Sequence, residues 1–127
     1  MKFSGSGNEQ RGWRPGVVFQ NNTGNKYSPN VIAFPMTSKI KKENQPTHVI
    51  IKSEDSALPK DSMVLCENPE RMSRENIGDY IGRLSPRHIK EIAVADILAS
   101  SAIAFLDIKD VIALMPKAAK LNNITVA

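Results

Sequence analysis

The residues most suited to chemistry in this chain are cations, and they are concentrated in its first half. Residues 1–60 carry nine Lys and Arg against four Asp and Glu, whereas residues 61–127 carry eight against nine. The basic half favours a polyanionic partner such as a nucleic acid, with a solvated basic face as the alternative. A basic loop would contact phosphates without selecting a sequence, and it contains Lys39, Lys41 and Lys42.

Aromatic and polar side chains of the same half add to this picture. Trp13 and Tyr27 are candidates for stacking on unpaired bases, which is how proteins usually hold single-stranded RNA. Trp13 has a second interpretation, in which it only packs its loop onto the domain. His48 lies within a predicted strand and is interpreted as structural or groove-lining. His88 falls in the first turn of a predicted helix, where we expect it to be solvated.

Length and composition limit the remaining classes of protein. The chain has 127 residues, 41% hydrophobic and 24% charged, which fits one soluble domain. Cys66 is the only cysteine, so an intramolecular disulfide is excluded, and one cysteine with two histidines predicts no metal site. The longest apolar stretch, around Ile92–Leu106, is interrupted by Asp96, and no segment resembles a signal peptide. We expect a cytoplasmic protein with no membrane partner.

Local patterns predict short strands followed by helices. The predicted strands are Val17–Gln20, Asn30–Met36, Thr47–Lys52 and Ser62–Cys66. Pro35 suggests that the second of them is an edge strand or ends in a bulge. Residues 21–25 are typical of a turn, and residues 76–84 fit either a strand or a short helix.

The helical patterns come later in the chain. Ser85 and Pro86 are a capping residue and a first-turn proline, and apolar residues then recur every three or four positions to about Leu106. Residues 107–121 predict a second helix broken near Pro116, and residues 124–127 a β-like tail. Together the elements predict an α+β domain, a small β-barrel or strongly curved sheet with a C-terminal helix.

A series of motifs makes the prediction more specific. In order along the chain these are Glu9-Gln10-x-Gly12-x-Arg14-Pro15-x-Val17-Val18-x-Gln20-Asn21, Gly24-Asn25-x-Tyr27-Ser28-Pro29, Met36-Thr37-Ser38, Pro46-Thr47-His48-Val49 and Ser62-Met63-Val64-Leu65-Cys66-Glu67. In this order and at these spacings they resemble the MazF/PemK family of toxin endoribonucleases from bacterial toxin–antitoxin pairs. The resemblance covers roughly residues 8–105.

The resemblance implies a fold and an activity. The fold is an SH3-like, curved antiparallel β-barrel with a C-terminal helix. The activity is metal-independent and cofactor-free cleavage of single-stranded RNA, including mRNA, at short sequence motifs. The ribose 2′-OH attacks the adjacent phosphate and leaves a 2′,3′-cyclic phosphate and a 5′-OH end. The implied partners are a cognate antitoxin and a second copy of the chain in a homodimer.

The resemblance also implies roles for single residues. Arg14 matches the family's catalytic arginine, and its planar, permanently charged fork suits a phosphate in the transition state. Thr37 matches a second catalytic position, where a hydroxyl binds the phosphate. Glu67 and Glu9 match acidic residues, either of which takes the proton or only orients Arg14. The amides of Gln10 and Asn68 are candidates for contacts with bases.

Two departures from the family pattern affect the predicted domain, residues 1–127. Only eight residues precede Glu9, so the family's first strand is expected to be missing, and residues 107–127 extend beyond the usual end. Two other functions compete with cleavage. One is a gyrase-inhibiting toxin of the same fold, and the other is a catalytically impaired protein that binds RNA or antitoxin.

Overall fold

A computed structural model describes residues 1–4, 12–40 and 45–122 of the chain. Its strands are β1 (Lys2–Phe3), β2 (Gly12–Trp13), β3 (Gly16–Val18), β4 (Asn30–Thr37), β5 (His48–Ile51), β6 (Ser62–Leu65) and β7 (Glu70–Ser73). Its α-helices are α1 (Asn22–Tyr27), α2 (Pro86–Ala99), α3 (Ala102–Phe105) and α4 (Ile108–Leu121). Single 3₁₀ turns cover Ser53–Asp55 and Arg74–Asn76.

The strands form two antiparallel sheets. The larger sheet has the order β3-β4-β6-β5, with β7 also paired to β4, and β1 pairs with β2 in a two-stranded sheet. The sheet of the described residues is curved rather than closed into a barrel; α1 lies between β3 and β4, and α2 to α4 follow the last strand in the chain. This arrangement confirms the predicted α+β class.

Strand β4 is the centre of the larger sheet, so the prediction that Pro35 marks an edge strand was wrong. β4 pairs with β3, β6 and β7. The N–H of Met36 points to β3, where it donates to the Pro15 carbonyl at 3.1 Å. Because neighbouring residues of a strand alternate sides, the nitrogen of Pro35 faces β6. The ladder to β6 begins only at Met36, so the missing N–H of Pro35 breaks no bond of that ladder.

Apolar side chains from the sheet and α2 form the main core. Its buried members are Phe34, Met36, Val49, Ile51, Val64, Cys66, Ile92 and Ala95. A smaller cluster joins Phe3 to the other part of β4 and to β7, through Val31, Ala33 and Met72. Phe3 belongs to β1, a two-residue strand that precedes the Glu9 motif and pairs with β2; the absence of the family's longer first strand stays a prediction.

Helix α2 begins as predicted and ends earlier than predicted. The Ser85 hydroxyl accepts a hydrogen bond from the His88 N–H, and Pro86 takes the first helical position. The helix ends at Ala99 rather than near Leu106. Ser100 and Ser101 follow, and the Ser100 hydroxyl accepts from the Ala102 N–H, a local bond that competes with helix continuation.

Helix α4 continues through Pro116, although the sequence suggested a break there. Asp107 and Asp110 form a capping box, in which each side chain accepts a hydrogen bond from the other's backbone N–H. At the other end, the backbone N–H of Asn122 bonds to carbonyls of the last turn. These caps satisfy both ends and offset the cost of the proline.

Other differences follow from contacts that a local pattern does not contain. Residues 22–27 form α1, capped by Asn21, where a turn was expected. Strand β7 was not predicted, and residues 77–84 form neither a strand nor a helix. The predicted tail at residues 124–127 lies outside the described residues. No helix in the described part of the chain has both the length and the apolar composition needed to cross a membrane.

Candidate functional site

The strand register brings Arg14 and Thr37 together. Gly16 lies opposite Pro35 in the β3–β4 pair, and the Met36 N–H donates to the Pro15 carbonyl. Continuing the same register by one residue past Pro15 and Met36, we infer that Arg14, just before β3, lies level with Thr37. Directly opposed residues of an antiparallel pair share a face of the sheet, with Cα atoms about 4.5–5.5 Å apart. An arginine and a threonine hydroxyl, both half-buried, therefore share one edge of the sheet.

The backbone around Arg14 is held on both sides. Its N–H donates to the Met1 carbonyl, and the Met1 nitrogen donates to the Arg14 carbonyl, each at 2.9 Å. Gly12 has a φ of 81°, a left-handed conformation that glycine adopts without strain. These features fix the direction in which the chain enters β3, and with it the position of Arg14.

The hydroxyl of Thr37 has one hydrogen bond that orients it. Its Oγ1 accepts from the backbone N–H of Lys39 at 3.1 Å. Because a hydroxyl carries one proton as well as lone pairs, this bond leaves the Thr37 proton available to donate to an oxygen of a ligand. The side chain of Lys39 is exposed beside it.

A cleft of about 930 Å³ opens next to Arg14. One wall is formed by Trp13 to Phe19, and the opposite wall by the extended residues 77–84. Trp13 is 61% exposed, and a Cβ on Gly78 would lie 3.3 Å from its Cζ3 atom. One part of the indole therefore packs on the opposite wall while the rest faces solvent, which combines the two interpretations of Trp13.

The sequence did not reveal two side chains of this cleft. Tyr80 and Arg83 line it from residues 77–84, and both are exposed. The available signal was an aromatic residue between Gly78 and Gly82 in a segment without helical or strand periodicity. Such a segment typically forms a loop wall rather than core.

A second polar pair lies elsewhere on the sheet. His48 Nε2 and Glu67 Oε1 are 2.7 Å apart, with side chains 14% and 36% exposed. They meet because His48 is opposite Leu65 in the β5–β6 register, and Glu67 follows β6 two residues later. Spacing alone gave no sign of this pair.

Glu67 and Thr37 are separated along the sheet. Thr37 lies opposite Met63, four residues before Glu67. Glu67 lies in the turn that follows β6, two residues past the end of the strand at Leu65. The structure therefore groups Glu67 with His48 rather than with Arg14 and Thr37.

Burial shapes the ionisation of groups near Glu67. The pKa of the Cys66 thiol is raised to about 12, first by burial and then by the charges of Asp96 and Glu67. Burial also raises the pKa of the Asp96 carboxyl above its ordinary value. Cys66 is thus a protonated core residue, in line with its interpretation from sequence. His88, expected to be solvated, is buried, and its Nδ1 lies 3.1 Å from the Ser85 hydroxyl.

The other predicted site residues fall into three groups. Tyr27 ends α1 and is exposed, with the Lys26 Nζ 5.2 Å from its ring centroid. Asn68 follows β6, near Glu67, and its N–H donates to the Leu65 carbonyl. Four residues lie outside the described part of the chain: Glu9, Gln10, Lys41 and Lys42. Within residues 1–4, 12–40 and 45–122, no group of three or more His, Cys, Asp and Glu is arranged to hold a metal ion.

Comparison with known proteins gives one consistent family. Residues 1–96 match the family model described as PemK-like, MazF-like toxin of type II toxin–antitoxin system. A protein of Staphylococcus saprophyticus subsp. saprophyticus named endoribonuclease MazF is 42% identical over 86 residues, which are 68% of this chain and 72% of that protein.

Solved structures show the same fold. An endoribonuclease from a mycobacterial species, solved with its cognate antitoxin, superposes with a TM-score of 0.60 at 26% identity, over 68% of this chain and 79% of that one. The Mycobacterium tuberculosis toxin MazF-mt6 superposes with a TM-score of 0.61 at 22% identity, over 74% of this chain and 88% of that one. At that identity the second likeness concerns the fold alone.

Proposed function

This endoribonuclease belongs to the PemK-like, MazF-like toxins of type II toxin–antitoxin systems, and we propose that it cleaves single-stranded RNA where Arg14 faces Thr37. The reaction is attack of a ribose 2′-OH on the adjacent phosphate, without a metal ion. Its products are a 2′,3′-cyclic phosphate and a 5′-OH end. The observation that carries the proposal is the opposition of Arg14 and Thr37 beside a cleft with an aromatic wall.

Arg14 stabilises the phosphate as negative charge develops on it. Its guanidinium carries a permanent charge and donates two parallel hydrogen bonds, which match two phosphate oxygens. The bonds between Met1 and the backbone of Arg14 fix the backbone that carries this group before the substrate binds. Such preorganised donors are usually the largest single contribution to catalysis.

Thr37 supplies a neutral donor to the same phosphate. Its oxygen is already oriented by the Lys39 N–H, so its proton points toward a ligand rather than toward that amide. Lys39 adds a positive charge that attracts the RNA backbone without reading its sequence.

We propose that Glu9, rather than Glu67, is the base that removes the 2′-OH proton. A base must come within hydrogen-bond reach of the proton that it removes, and Glu67 contacts His48 in the turn after β6, four residues past Met63, the partner of Thr37. Glu9 precedes Arg14 by five residues and matches a family glutamate over the site. Glu67, held by His48, then contacts a nucleotide further along the bound strand, together with Asn68.

Trp13 and Tyr80 are proposed to hold unpaired bases in the cleft. Both are exposed aromatic side chains that line the cleft, and an aromatic ring can stack on any of the four bases. Arg83 lines the same cleft and adds a phosphate contact. Tyr27, Gln10, Lys41 and Lys42 remain proposed RNA contacts on their residue types alone, as an aromatic ring, an amide and two cations.

We propose two protein partners, a cognate antitoxin and a second copy of this chain. A similar mycobacterial endoribonuclease was solved with its cognate antitoxin. The homodimer is supported by a solvent-facing apolar surface on α2 and α3. Its exposed members are Val94, Ile97, Leu98, Ile103 and Phe105. Apolar surfaces of this extent typically mark protein–protein contacts.

The direct test is to incubate the protein with a mixed RNA pool in excess EDTA and to map all new 5′-OH ends. We expect cleavage at one short motif, and no cleavage of DNA of the same sequences, which lacks the 2′-OH. Cleavage of the DNA pool would exclude the proposed nucleophile. A folded protein that leaves the RNA pool intact would instead support the catalytically impaired alternative.

A further inference from the structure

We infer that α4 pairs antiparallel with α4 of a second copy of this chain. The helix lies beyond residues 1–96, the part that matches the family model, and it carries an apolar face that the described residues of its own chain leave exposed. In a heptad arrangement this face is the seam, and it consists of Val111, Leu114, Ala118 and Leu121, at alternating spacings of three and four. Leu114, near the middle, is 48% exposed.

The two edges beside the seam differ in chemistry, and this difference selects the occupant. One edge carries Asp110 and Lys117, one heptad apart. The other edge carries Ile108 and Met115, also one heptad apart and both exposed. When two copies of the first edge run in opposite directions, the negative Asp110 of each meets the positive Lys117 of the other. When two copies of the second edge do so, the apolar Ile108 of each meets the apolar Met115 of the other.

An antiparallel pair uses this complementarity. In antiparallel helices like edges meet, so Asp110 of each copy faces Lys117 of the other, and Ile108 faces Met115. A twofold axis between Ile112 and Ala113 satisfies both contacts and places Val111 against Leu114 in the seam. Such an interface is isologous, so each α4 pairs with one other α4.

A parallel pair lacks this match. In parallel helices opposite edges meet, which places the charge of Asp110 beside the apolar Met115. The antiparallel arrangement also opposes the two helix dipoles favourably. Pro116 lies on the side away from the seam, so it does not obstruct either arrangement.

The domain presents the seam in a fixed orientation. At the C-terminal end of α4, the Asn122 Oδ1 accepts from the Asn22 N–H at 3.2 Å, and the Asn22 Nδ2 donates to the Asn122 carbonyl at 2.9 Å. The Thr23 hydroxyl donates to the Leu121 carbonyl at 3.0 Å. Ala119, on the side of α4 away from the Asp110 edge, is buried. These contacts tie the end of α4 to α1, so little orientational freedom is lost on pairing.

The test is the mass of the full chain in solution, measured by light scattering from low to high micromolar concentration. Leu114→Glu places two charges in the seam and is expected to raise the concentration for half-assembly at least about thirtyfold. Ala113→Glu, one residue away on the opposite side of the helix, is the matched control and should assemble like the unchanged chain. Circular dichroism checks that each variant folds.

A charge variant tests the direction of pairing. Lys117→Glu should weaken the same association step because it opposes Asp110 of the second copy, whereas Lys109→Glu, on the outer side, should not. Identical masses for the unchanged chain and Leu114→Glu at every concentration would overturn the inference. Unchanged association of Lys117→Glu together with weakened association of Leu114→Glu would also overturn it, because that result would indicate a parallel pair. RNA cleavage is measured separately, so its failure would not be confused with failure of this interface.

Discussion

One sheet carries two groups of polar residues from the family motifs, and the structure places the two groups apart. At one, Arg14 and Thr37 face each other across β3 and β4, beside a cleft. At the other, His48 and Glu67 form a pair at the end of β6. A cation and a hydroxyl suit a phosphate, whereas a carboxylate repels one. This difference is the reason why we propose catalysis at the first part and contact with another nucleotide of the bound RNA at the second.

The largest effect is expected from Arg14→Ala. Loss of a preorganised stabiliser of transition-state charge typically costs on the order of 10²–10³ in rate, so cleavage should fall below detection in a standard assay. Stability should change little, because substitutions of single loop residues outside the core rarely matter to folding. Cleavage of a defined RNA is measured beside thermal unfolding.

The control for Arg14→Ala is Arg71→Ala, which removes an exposed arginine of β7. It should cleave RNA almost like the unchanged protein. Normal cleavage by folded Arg14→Ala would contradict the assignment of catalysis to this part of the sheet.

A smaller effect is expected from Trp13→Ala, which removes a stacking surface of the cleft. Stacking on an aromatic side chain is worth about 1–3 kcal/mol per base, so binding should weaken about tenfold or more. The measurement is the affinity for an RNA whose 2′-OH at the cleavage site is replaced by hydrogen. Trp13→Phe keeps a ring and should recover most of the affinity, whereas equal losses in both variants would mean that Trp13 only packs against Gly78.

A still smaller effect is expected from Glu67→Gln. The variant keeps the shape of the side chain and removes the charge that His48 contacts. Pairs as exposed as this one are worth about 0.2–1 kcal/mol, so KM should rise only about two- to fivefold, with kcat nearly unchanged. A fall in kcat as large as that of Arg14→Ala, with loss of the acidic limb of the pH profile, would make Glu67 the proton acceptor after all.

The smallest effect concerns Asp96, whose charge lies near Cys66 at the Glu67 end. Burial raises the pKa of its carboxyl above 3.8, so the folded state holds this proton more tightly than the unfolded state. Folding stability therefore falls as the pH rises from 3.8 through the raised pKa. Asp96 also lies near the C-terminus of α2, where a negative charge is unfavourable.

The corresponding variant is Asp96→Asn, which removes the charge at neutral pH. It should raise the free energy of unfolding by about 0.5 kcal/mol at pH 7, and by nothing at pH 3, where both side chains are neutral. Denaturant unfolding at the two pH values measures this. Equal stabilities at pH 7 would mean that the carboxylate is adequately solvated.

The sequence predicted those elements that are determined by local patterns. Alternating or β-branched runs predicted β4, β5 and β6, and a serine followed by proline predicted the start of α2. Strand β7 was missed because its residues, Glu70–Ser73, have little β character, and their pairing with β4 decides their conformation. Helix α1 was missed because Asn21 and Gly24 suggest a turn as readily as a cap.

The candidate site was predictable in its residue types and only partly in its arrangement. The motif series identified Arg14 and Thr37, but it could not show that β3 and β4 set them opposite each other. That fact depends on the register. The pairing of Glu67 with His48, and the walls that bring Tyr80 and Arg83 to the cleft, depend on contacts between segments distant in sequence, for which single-sequence patterns contain no signal.

The most direct test of the account is a double-mutant cycle on the single-turnover cleavage rate. It combines Arg14→Lys with Thr37→Val and, in parallel, Arg14→Lys with Glu67→Gln. Residues that act on one phosphate should give non-additive losses, and residues at separate positions should give additive ones. We predict non-additivity for Arg14 with Thr37 and additivity for Arg14 with Glu67. The reverse result would place Glu67, and not Thr37, at the reacting phosphate and contradict the account.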